Sequence, residues 1–214
     1  MVRCHTFGAD MGFEVETKDC TAVTDAELGE LESLSVDSPN ALSMGVLSKQ
    51  TEEWVLLTTA RESGKLRGYV VCTLERIGGT PAVIMGLGAV MRNNKRNAAL
   101  KALMNELYHR ALMAFPDEDV IFGTTILSPS GLEVFKDLTD ELPKPSYRPT
   151  GEERAWGRRF AKRLGFSQLG FDDKKFIAVG DGSKPCVFDH ESLKPEKIDK
   201  DLLGMFSDLN HESG

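Results

Sequence analysis

Three basic side chains stand together where an apolar run gives way to a helical pattern. Arg92, Lys95 and Arg96 directly follow the apolar run 81–90, and apolar residues then recur at helical spacing over 100–115. The first amides of a helix have no partner within it and carry partial positive charge. Cations are unfavourable beside such a helix start. Three of them there therefore predict a phosphate or another anion nearby.

The elements on either side of this turn form a strand–helix–strand unit. Residues 82–90 predict a strand, and 94–115 predict a long helix that ends before Pro116. Residues 120–127 are short and almost uniformly apolar, which is typical of a central strand covered on both faces. The unit at 81–127 is therefore predicted to be a right-handed parallel crossover.

The rest of the chain supplies further strands and helices. Upstream, the patterns predict a strand at 13–17, a helix at 24–36 that begins with a capping box, and a second short helix at 39–48. An antiparallel hairpin follows, with strands at 54–59 and 66–74. Downstream, they predict two helices and a last strand, at 128–138, 154–164 and 175–179. This order predicts an α/β (α+β) fold, a mixed sheet with helices on both faces.

Composition limits the classes of function. The 214 residues are 41% hydrophobic and 28% charged, with a net charge of −7 and a pI of about 5.2. No global field would attract nucleic acid or an anionic membrane. The four cysteines are scattered, no metal motif exists, and the amino terminus leads into no secretory segment. We expect a cytoplasmic protein with one domain at 1–182 and a weakly structured extension at 183–214, its oligomeric state left open.

The turn resembles the central motif of the GNAT N-acyltransferase superfamily, V-x-P-x-x-R-x-x-G-x-G-x-x-L. Four residues align with its valine, arginine, first glycine and leucine: Val90, Lys95, Ala98 and Leu103. Arg92 replaces the proline and Leu100 the second glycine. In that family, loop amides hold the pyrophosphate of acetyl-CoA, and splayed strands admit the pantetheine arm.

The resemblance implies a GNAT-like fold, with a mostly antiparallel twisted sheet, and an N-acyltransferase activity. The donor substrate would be acetyl-CoA or another acyl-CoA, with no metal, and the acceptor an amine of a small molecule or protein. The implied donor-binding residues are those of the turn: Val90, Arg92, Asn94, Lys95, Arg96, Asn97 and Ala98.

The family's second signature has an asparagine, an alanine three residues later and a tyrosine four residues after that. In one register Ser128 and Phe135 take the first and last positions, and in the other Ala161 takes the last. Neither register supplies the phenol that often protonates the departing thiolate. Tyr147 or Tyr108 would then substitute, or no general acid is used.

Three residues are the candidates for catalysis under this resemblance. Tyr147 is a possible acid within a Pro-rich insertion at 139–153, which could form a lid over the acceptor side. Glu75 closes a strand and is a possible base, and Ser128 could bond the pantetheine or the thiolate. A thiol with a pKa near 8.5 departs readily, so transfer without a phenol is plausible.

Two other functions remain open. The basic residues of helix 154–163 could bind an acyl carrier protein, as in synthases of N-acyl products on a similar fold. Alternatively, the missing glycines and tyrosine fit a GNAT-like protein that has lost catalysis and binds a partner.

Overall fold

The computed structural model describes residues 12–36, 41–133, 135, 142–179, 188–189 and 192–207. Residue 36, the predicted end of the first helix, is the last described residue before a gap at 37–40. Most of 134–141 also lies outside the described residues, and with it the end of the predicted helix 128–138 and the start of the predicted insertion. Within the described ranges, no helix combines the length and the apolarity that a bilayer crossing requires.

Five strands follow one another across the main sheet in chain order. They are β1 (Glu14–Asp19), β2 (Leu56–Glu62), β3 (Lys65–Ile77), β4 (Thr80–Val90) and β5 (Ile121–Gly123). The pairs from β1 to β4 are antiparallel, whereas β4 and β5 are parallel. The predicted mixed, mostly antiparallel sheet is confirmed, and so is the parallel crossover.

Six α-helices in the described part of the chain accompany this sheet. They are α1 (Asp25–Leu34), α2 (Met44–Glu53), α3 (Arg96–Ala114), α4 (Pro129–Glu133), α5 (Gly151–Arg163) and α6 (Lys200–Met205). Three shorter strands follow α5: β6 (Phe171–Asp172) and β7 (Ile177–Ala178), which pair with each other, and β8 (Phe188–Asp189), which pairs with β4. Part of the segment 183–214, predicted to be weakly structured, thus forms β8 and α6.

The two faces of the sheet bury separate cores. On one face, Leu28 and Leu31 of α1 and Leu47 of α2 lie in a buried cluster with alternate residues of β3 and β4. On the other face, α3 contributes a stripe of five buried residues: Ala99, Leu100, Leu103, Leu107 and Ala111. Alternation along a strand sends successive side chains to opposite faces, so β2, β3 and β4 each contribute to both cores.

The predicted capping box of the first helix is confirmed. Thr24 Oγ1 accepts a hydrogen bond from the Glu27 amide at 3.4 Å, and Glu27 Oε2 accepts one from the Thr24 amide at 2.9 Å. Lys18 on β1 pairs with Glu27, and together these bonds lower the pKa of Glu27 from 4.5 to about 2. The start of α1 is thereby fixed to the end of β1.

Three predicted elements differ from the structure. The second helix was predicted at 39–48 but runs over Met44–Glu53, because the polar stretch after Ser48 concealed its last turn. The central strand predicted at 120–127 has only three residues, all half-buried, and β4 is its neighbour on one edge. The last strand, predicted at 175–179, is β7 and pairs with β6 rather than with the main sheet.

A β-bulge at Gly86 changes the alternation of β4. Leu87 lies opposite Val71 and Met85 opposite Cys72, although Val71 and Cys72 are consecutive, so Gly86 is an extra residue without a partner on β3. Before the bulge, even-numbered side chains face the α1 core; after it, Leu87 and Ala89 do. A Cβ added at Gly86 would overlap the indole of Trp54, which packs against it.

We predict that Gly86→Ala lowers the free energy of unfolding by about 1–3 kcal/mol, since overpacking a buried site forces its neighbours to shift. Urea denaturation measures this. In a Trp54→Ala background the same substitution should cost much less, because the overlapping ring is gone. The matched control is Gly29→Ala on α1, where a Cβ meets nothing within 4 Å and should stabilise by about 0.5–1 kcal/mol. Equal stability of Gly86→Ala and the unmodified chain would contradict the packing described.

Candidate active site

The candidate site lies where β4 and β5 separate. Their parallel pairing runs from Ala82 opposite Ile121 to Ile84 opposite Gly123, and there β5 ends. β4 continues to Val90 while remaining paired with β3 on its other edge. The space that β5 leaves beside β4 after Ile84, on the side of the basic turn, is named the cleft; β8 pairs with Gly88 and Ala89 on that same edge.

The turn after β4 is held by backbone bonds and one side chain. Asn93 Oδ1 accepts from the Lys95 amide at 2.8 Å, and the Asn93 carbonyl accepts from the Arg96 amide at 3.2 Å. The first i to i−4 bond of α3 runs from the Ala99 amide to the Lys95 carbonyl at 2.9 Å. The amides of residues 97 and 98 therefore lie in the first turn of α3, ahead of its first i to i−4 bond. This is the part of a helix that offers amide groups to an anion.

The predicted donor-binding residues differ in what they present to solvent. Arg92, Asn94, Lys95 and Asn97 are exposed, whereas Val90 is fully buried in the α3 core and can offer a ligand only its backbone. Ala98, at the position of the motif's first glycine, is half-buried. Leu100 is buried against the sheet, so the motif's lost second glycine places no side chain in the turn.

Part of the predicted anion is supplied by the chain itself. Glu62, at the end of β2, forms ion pairs with Lys95 and with Arg67, whose Nη2 lies 3.1 Å from Glu62 Oε2. The hydrogen bond from the Lys95 ammonium, followed by the positive charges of Lys95 and Arg67, holds the pKa of Glu62 below its usual value. The turn therefore contains a carboxylate that the sequence pattern did not reveal, because β2 is distant in the chain.

Arg96 is the most deeply placed of the three cations. Its side chain is half-buried, and its Nε is buried without a hydrogen-bond partner among the described residues. Buried polar groups are normally hydrogen-bonded, and each exception needs an explanation. An acceptor from a ligand at the helix start would satisfy this donor.

Aromatic rings cover the cleft on the α1 face. Trp54 lies on Gly86 of β4, and Phe160 of α5 lies on Gly123 of β5, where a Cβ would overlap its ring. The Trp54 indole donates to Gln50 Oε1 at 3.1 Å, and the Arg163 guanidinium lies 5.7 Å from its ring centroid. Two glycines thus lie beneath aromatic rings: Gly123, the last β5 residue that pairs with β4, and Gly86, the bulge residue of β4.

The three predicted catalytic residues lie in different places. Glu75, at the end of β3, forms an ion pair with Arg163. Ser128 caps α4, its Oγ accepting from the Gly131 amide at 3.2 Å. The Tyr147 hydroxyl donates to Glu153 at 3.0 Å and lines a cavity of about 210 Å³ that includes neither Glu75 nor Ser128. Their proposed roles stay predictions.

The residues at the family's tyrosine position belong to the core. Phe135 and Ala161 are both buried, Phe135 in the core on the α3 face and Ala161 within α5. Tyr108, the other phenol considered, is half-buried on α3 with its ring 6.4 Å from that of Phe122.

Thr125 is a candidate that the sequence reasoning missed. It follows β5 by two residues, in the segment that leaves β4, and its Oγ1 is buried without a hydrogen-bond partner among the described residues. Two threonines that interrupt an apolar run were the available signal. Neither β4 nor β5 contains a carboxylate or a histidine. Thr124 and Thr125 are the first polar side chains after β5, and of the two it is Thr125 whose buried hydroxyl lacks a partner among the described residues.

The basic helix α5 is largely neutralised within the chain. Arg154 and Arg158 both pair with Asp173, whose pKa these bonds lower, and Arg163 pairs with Glu75. Arg159 lies over the Trp156 ring at 4.8 Å. A carrier-protein surface on this helix would have to compete with these partners.

Thiol and metal chemistry gain no support from the described residues. Burial raises the pKa of Cys20 to about 11 and that of Cys72 to about 12, which keeps both thiols protonated. Within the described ranges, no three of the histidine, cysteine, aspartate and glutamate side chains are grouped as metal ligands.

Comparison with known proteins gives similarity in structure only. No protein-family profile matches the chain, and no curated protein matches it by sequence. A ribosomal-protein-alanine N-acetyltransferase from Brucella melitensis biovar Abortus is 13% identical, with a TM-score of 0.48 over 64% of this chain and 98% of that one.

Two aminoglycoside acetyltransferases are similar to the same degree. One, from an uncultured soil metagenomic sample and solved with sisomicin, is 12% identical with a TM-score of 0.47, covering 65% of this chain and 96% of its own. The other, solved with CoA, is 14% identical with a TM-score of 0.45, over 65% and 95%. All three are acetyltransferases, the class to which the resemblance points; at these scores the likeness supports no statement about donor or acceptor.

We predict that the Glu62 ion pairs make stability depend on acidity. A carboxyl whose folded pKa lies below its unfolded value of about 4.5 stabilises the fold above that value, and the contribution is lost as the pH falls through the folded pKa. Between about pH 5 and pH 3, the unmodified chain should therefore lose more stability than Glu62→Gln does. Urea denaturation at both pH values checks this, with Glu52→Gln, exposed on α2, as the control. Equal pH dependence of Glu62→Gln and the unmodified chain would contradict it.

Proposed function

We propose that this chain is an N-acyltransferase that takes its acyl group from an acyl-CoA. One observation carries the proposal: the edge of β4 that β5 leaves after Ile84 runs directly into the basic turn and the start of α3. A strand edge offers amide and carbonyl groups to an extended ligand, and the helix start offers positive charge to phosphates. Acyl-CoA is a ligand with both parts in that order.

The two parts are spaced for a ligand that extends along the strand. From Gly86 to Val90, β4 covers about 13 Å. The pantetheine arm has two amides that could pair along this edge, and the diphosphate would then meet the turn. Lys95, Arg96 and the first amides of α3 are the groups that would bind it. The thioester would lie beside Gly86, whose bulge leaves it without a partner on β3.

The reaction at that point is the attack of an amine on the thioester carbonyl. The amine nitrogen forms the new bond to carbon, the carbon–sulfur bond breaks, and the amine proton leaves while the thiolate is protonated. No carboxylate or histidine lies on β4 or β5. Holding the two reactants together can supply much of the rate, and a thiolate needs little help to depart. This chemistry therefore depends on position more than on a general acid.

The α1 face of the cleft is where the acceptor would bind. Trp54 and Phe160 cover Gly86 and Gly123 there, and such rings can contact a cationic amine through their faces. These rings already occupy the space directly above the two glycines. The acceptor would therefore bind beside them, with the residues around Trp54 as the wall of its site.

We predict that acetyl-CoA raises the free energy of unfolding by about 2.7 kcal/mol at 100 times its Kd. The double variant Lys95→Glu/Arg96→Glu should weaken acetyl-CoA binding at least tenfold, because it places two negative charges at the diphosphate. Isothermal titration calorimetry with CoA and acetyl-CoA measures this. Lys162→Glu/Lys65→Glu, exposed positions on α5 and in the β2–β3 hairpin, is the matched control for net charge. Equal weakening by both pairs would show a general charge effect, and no binding by the unmodified chain would refute the proposal.

Thr125 provides a test of the cleft itself. If its hydroxyl bonds the substrate, Thr125→Val should lower turnover about fivefold to tenfold, as for one lost neutral hydrogen bond. Its stability should not fall, because a buried hydroxyl without a partner is replaced by a methyl group of the same shape. Release of CoA thiol from acetyl-CoA, with a panel of small-molecule and peptide amines, measures turnover. Thr125→Ser should retain it; equal loss in both variants would indicate packing instead.

A second candidate function is binding without catalysis. It is favoured by the partners that Tyr147, Glu75 and Ser128 already have in Glu153, Arg163 and the Gly131 amide. The same turnover assay separates the two. Acetyl-CoA binding with no transfer to any amine would favour the binding protein, and transfer to any amine would eliminate it.

A further inference from the structure

The short strand β8 lies on the edge of β4 that β5 leaves. Phe188 is opposite Gly88 and Asp189 is opposite Ala89, in parallel orientation. β3 pairs with the same two β4 residues from the other side, through Val70 and Tyr69. A strand has only two edges, so β8 must occupy the edge that the cleft exposes.

The pairing divides this edge into three parts. β5 takes Ala82 to Ile84, and β8 takes Gly88 and Ala89. The three residues between them, Met85 to Leu87, pair with neither strand on this edge. The free part thus contains the bulge at Gly86, whereas the part nearest the basic turn is already paired by the chain's own backbone.

Part of the segment 192–207 is packed against the rest of the chain. Ser192 and Ile198 are buried, and α6 packs against α4. A tethered segment has a high effective concentration at its site, which favours it over a free ligand. Its pairing extends over only two residues, however, and each backbone hydrogen bond changes an equilibrium by only about twofold to tenfold. The pairing is therefore weak enough for a ligand to displace.

We propose that β8 is an internal occupant of the acyl-donor slot, which must leave Gly88 and Ala89 before a pantetheine arm can pair there. This inference rests on the proposed function, since the competing ligand is acyl-CoA. Donor affinity is then set by how often β8 is displaced, and anything that draws β8 away activates the protein. The apparent Kd then equals the intrinsic Kd divided by the fraction of molecules whose slot is open.

The test compares donor binding by the full chain with and without a β8 that can pair. Phe188→Pro/Asp189→Pro removes two amide donors and cannot continue a ladder. Calorimetry with CoA and acetyl-CoA should then give a Kd about tenfold lower than for the unmodified chain. Leu193→Pro, at an exposed position outside β8, is the matched control and should leave the Kd unchanged.

Three outcomes are distinguished. Tighter binding by the double variant alone supports the inference. Equal binding by the double variant and the unmodified chain, within twofold, overturns it and leaves the proposed function standing. Absence of binding in every form overturns the proposed function, and the inference with it.

Hydrogen exchange on the unmodified chain gives a measurement that needs no variant to fold. Saturating CoA should raise amide exchange at residues 188–189 while that of Gly88 and Ala89 stays slow, because the ligand replaces β8. Slow exchange at 188–189 both with and without CoA would mean that β8 is a fixed wall of the cleft, and would overturn the inference.

Discussion

The unequal pairing of the two edges of β4 is the constraint on which the rest of the structure depends. One edge is paired with β3 along nearly its whole length, whereas the other is paired with β5 over three residues and with β8 over two, leaving Met85 to Leu87 paired with neither strand. β5 is short because the chain turns away at Gly123 and continues toward α4. A buried strand cannot leave backbone groups unpaired without cost. The open stretch of β4 therefore has to be completed by a ligand, by water or by another segment of the chain.

The space beside this edge is shaped by two glycines beneath aromatic rings. Trp54 comes from the end of α2 and Phe160 from α5, so two helices distant in sequence meet over the divergence of β4 and β5. Glu75 pairs with Arg163, and Arg163 lies over the Trp54 ring. Glu75, a candidate base in the sequence, thus pairs in the structure with the guanidinium that lies over the ring covering Gly86. A chain of contacts joins the end of β3 to the bulge of β4.

The elements around the turn were predictable because their signals are local. The capping box at Thr24, the hairpin of β2 and β3, and the 3.6-residue stripe of α3 each involve residues close in sequence. The end of β5 was not predictable, because Val120 to Leu127 is apolar apart from Thr124 and Thr125, both of which a strand accepts, and only tertiary pairing decides where the strand stops. The bulge at Gly86 was hidden for the same reason. Because β4 is apolar throughout after Thr80, its sequence shows no alternation of polar and apolar residues that a bulge would interrupt.

The candidate site divides in the same way. The basic turn was recognised from consecutive residues, but Glu62 and Thr125 were not, since each reaches the site through the fold. Side-chain partners of Glu75, Ser128 and Tyr147 also depend on contacts between distant elements. A sequence pattern can show that a loop is basic. It cannot show which carboxylate from another strand will neutralise it.

Glu62 gives the basic turn a carboxylate partner from within the chain. Lys95 remains more than half exposed, with 55% of its side chain accessible, so its pair with Glu62 is screened by water. Exposed ion pairs contribute little to stability, and a phosphate that replaced Glu62 at Lys95 would lose little. Arg96 differs, because its Nε is buried and has no acceptor among the described residues. The partner of Lys95 is thus a carboxylate that a phosphate could replace. The buried Nε of Arg96, in contrast, would gain an acceptor from a bound anion.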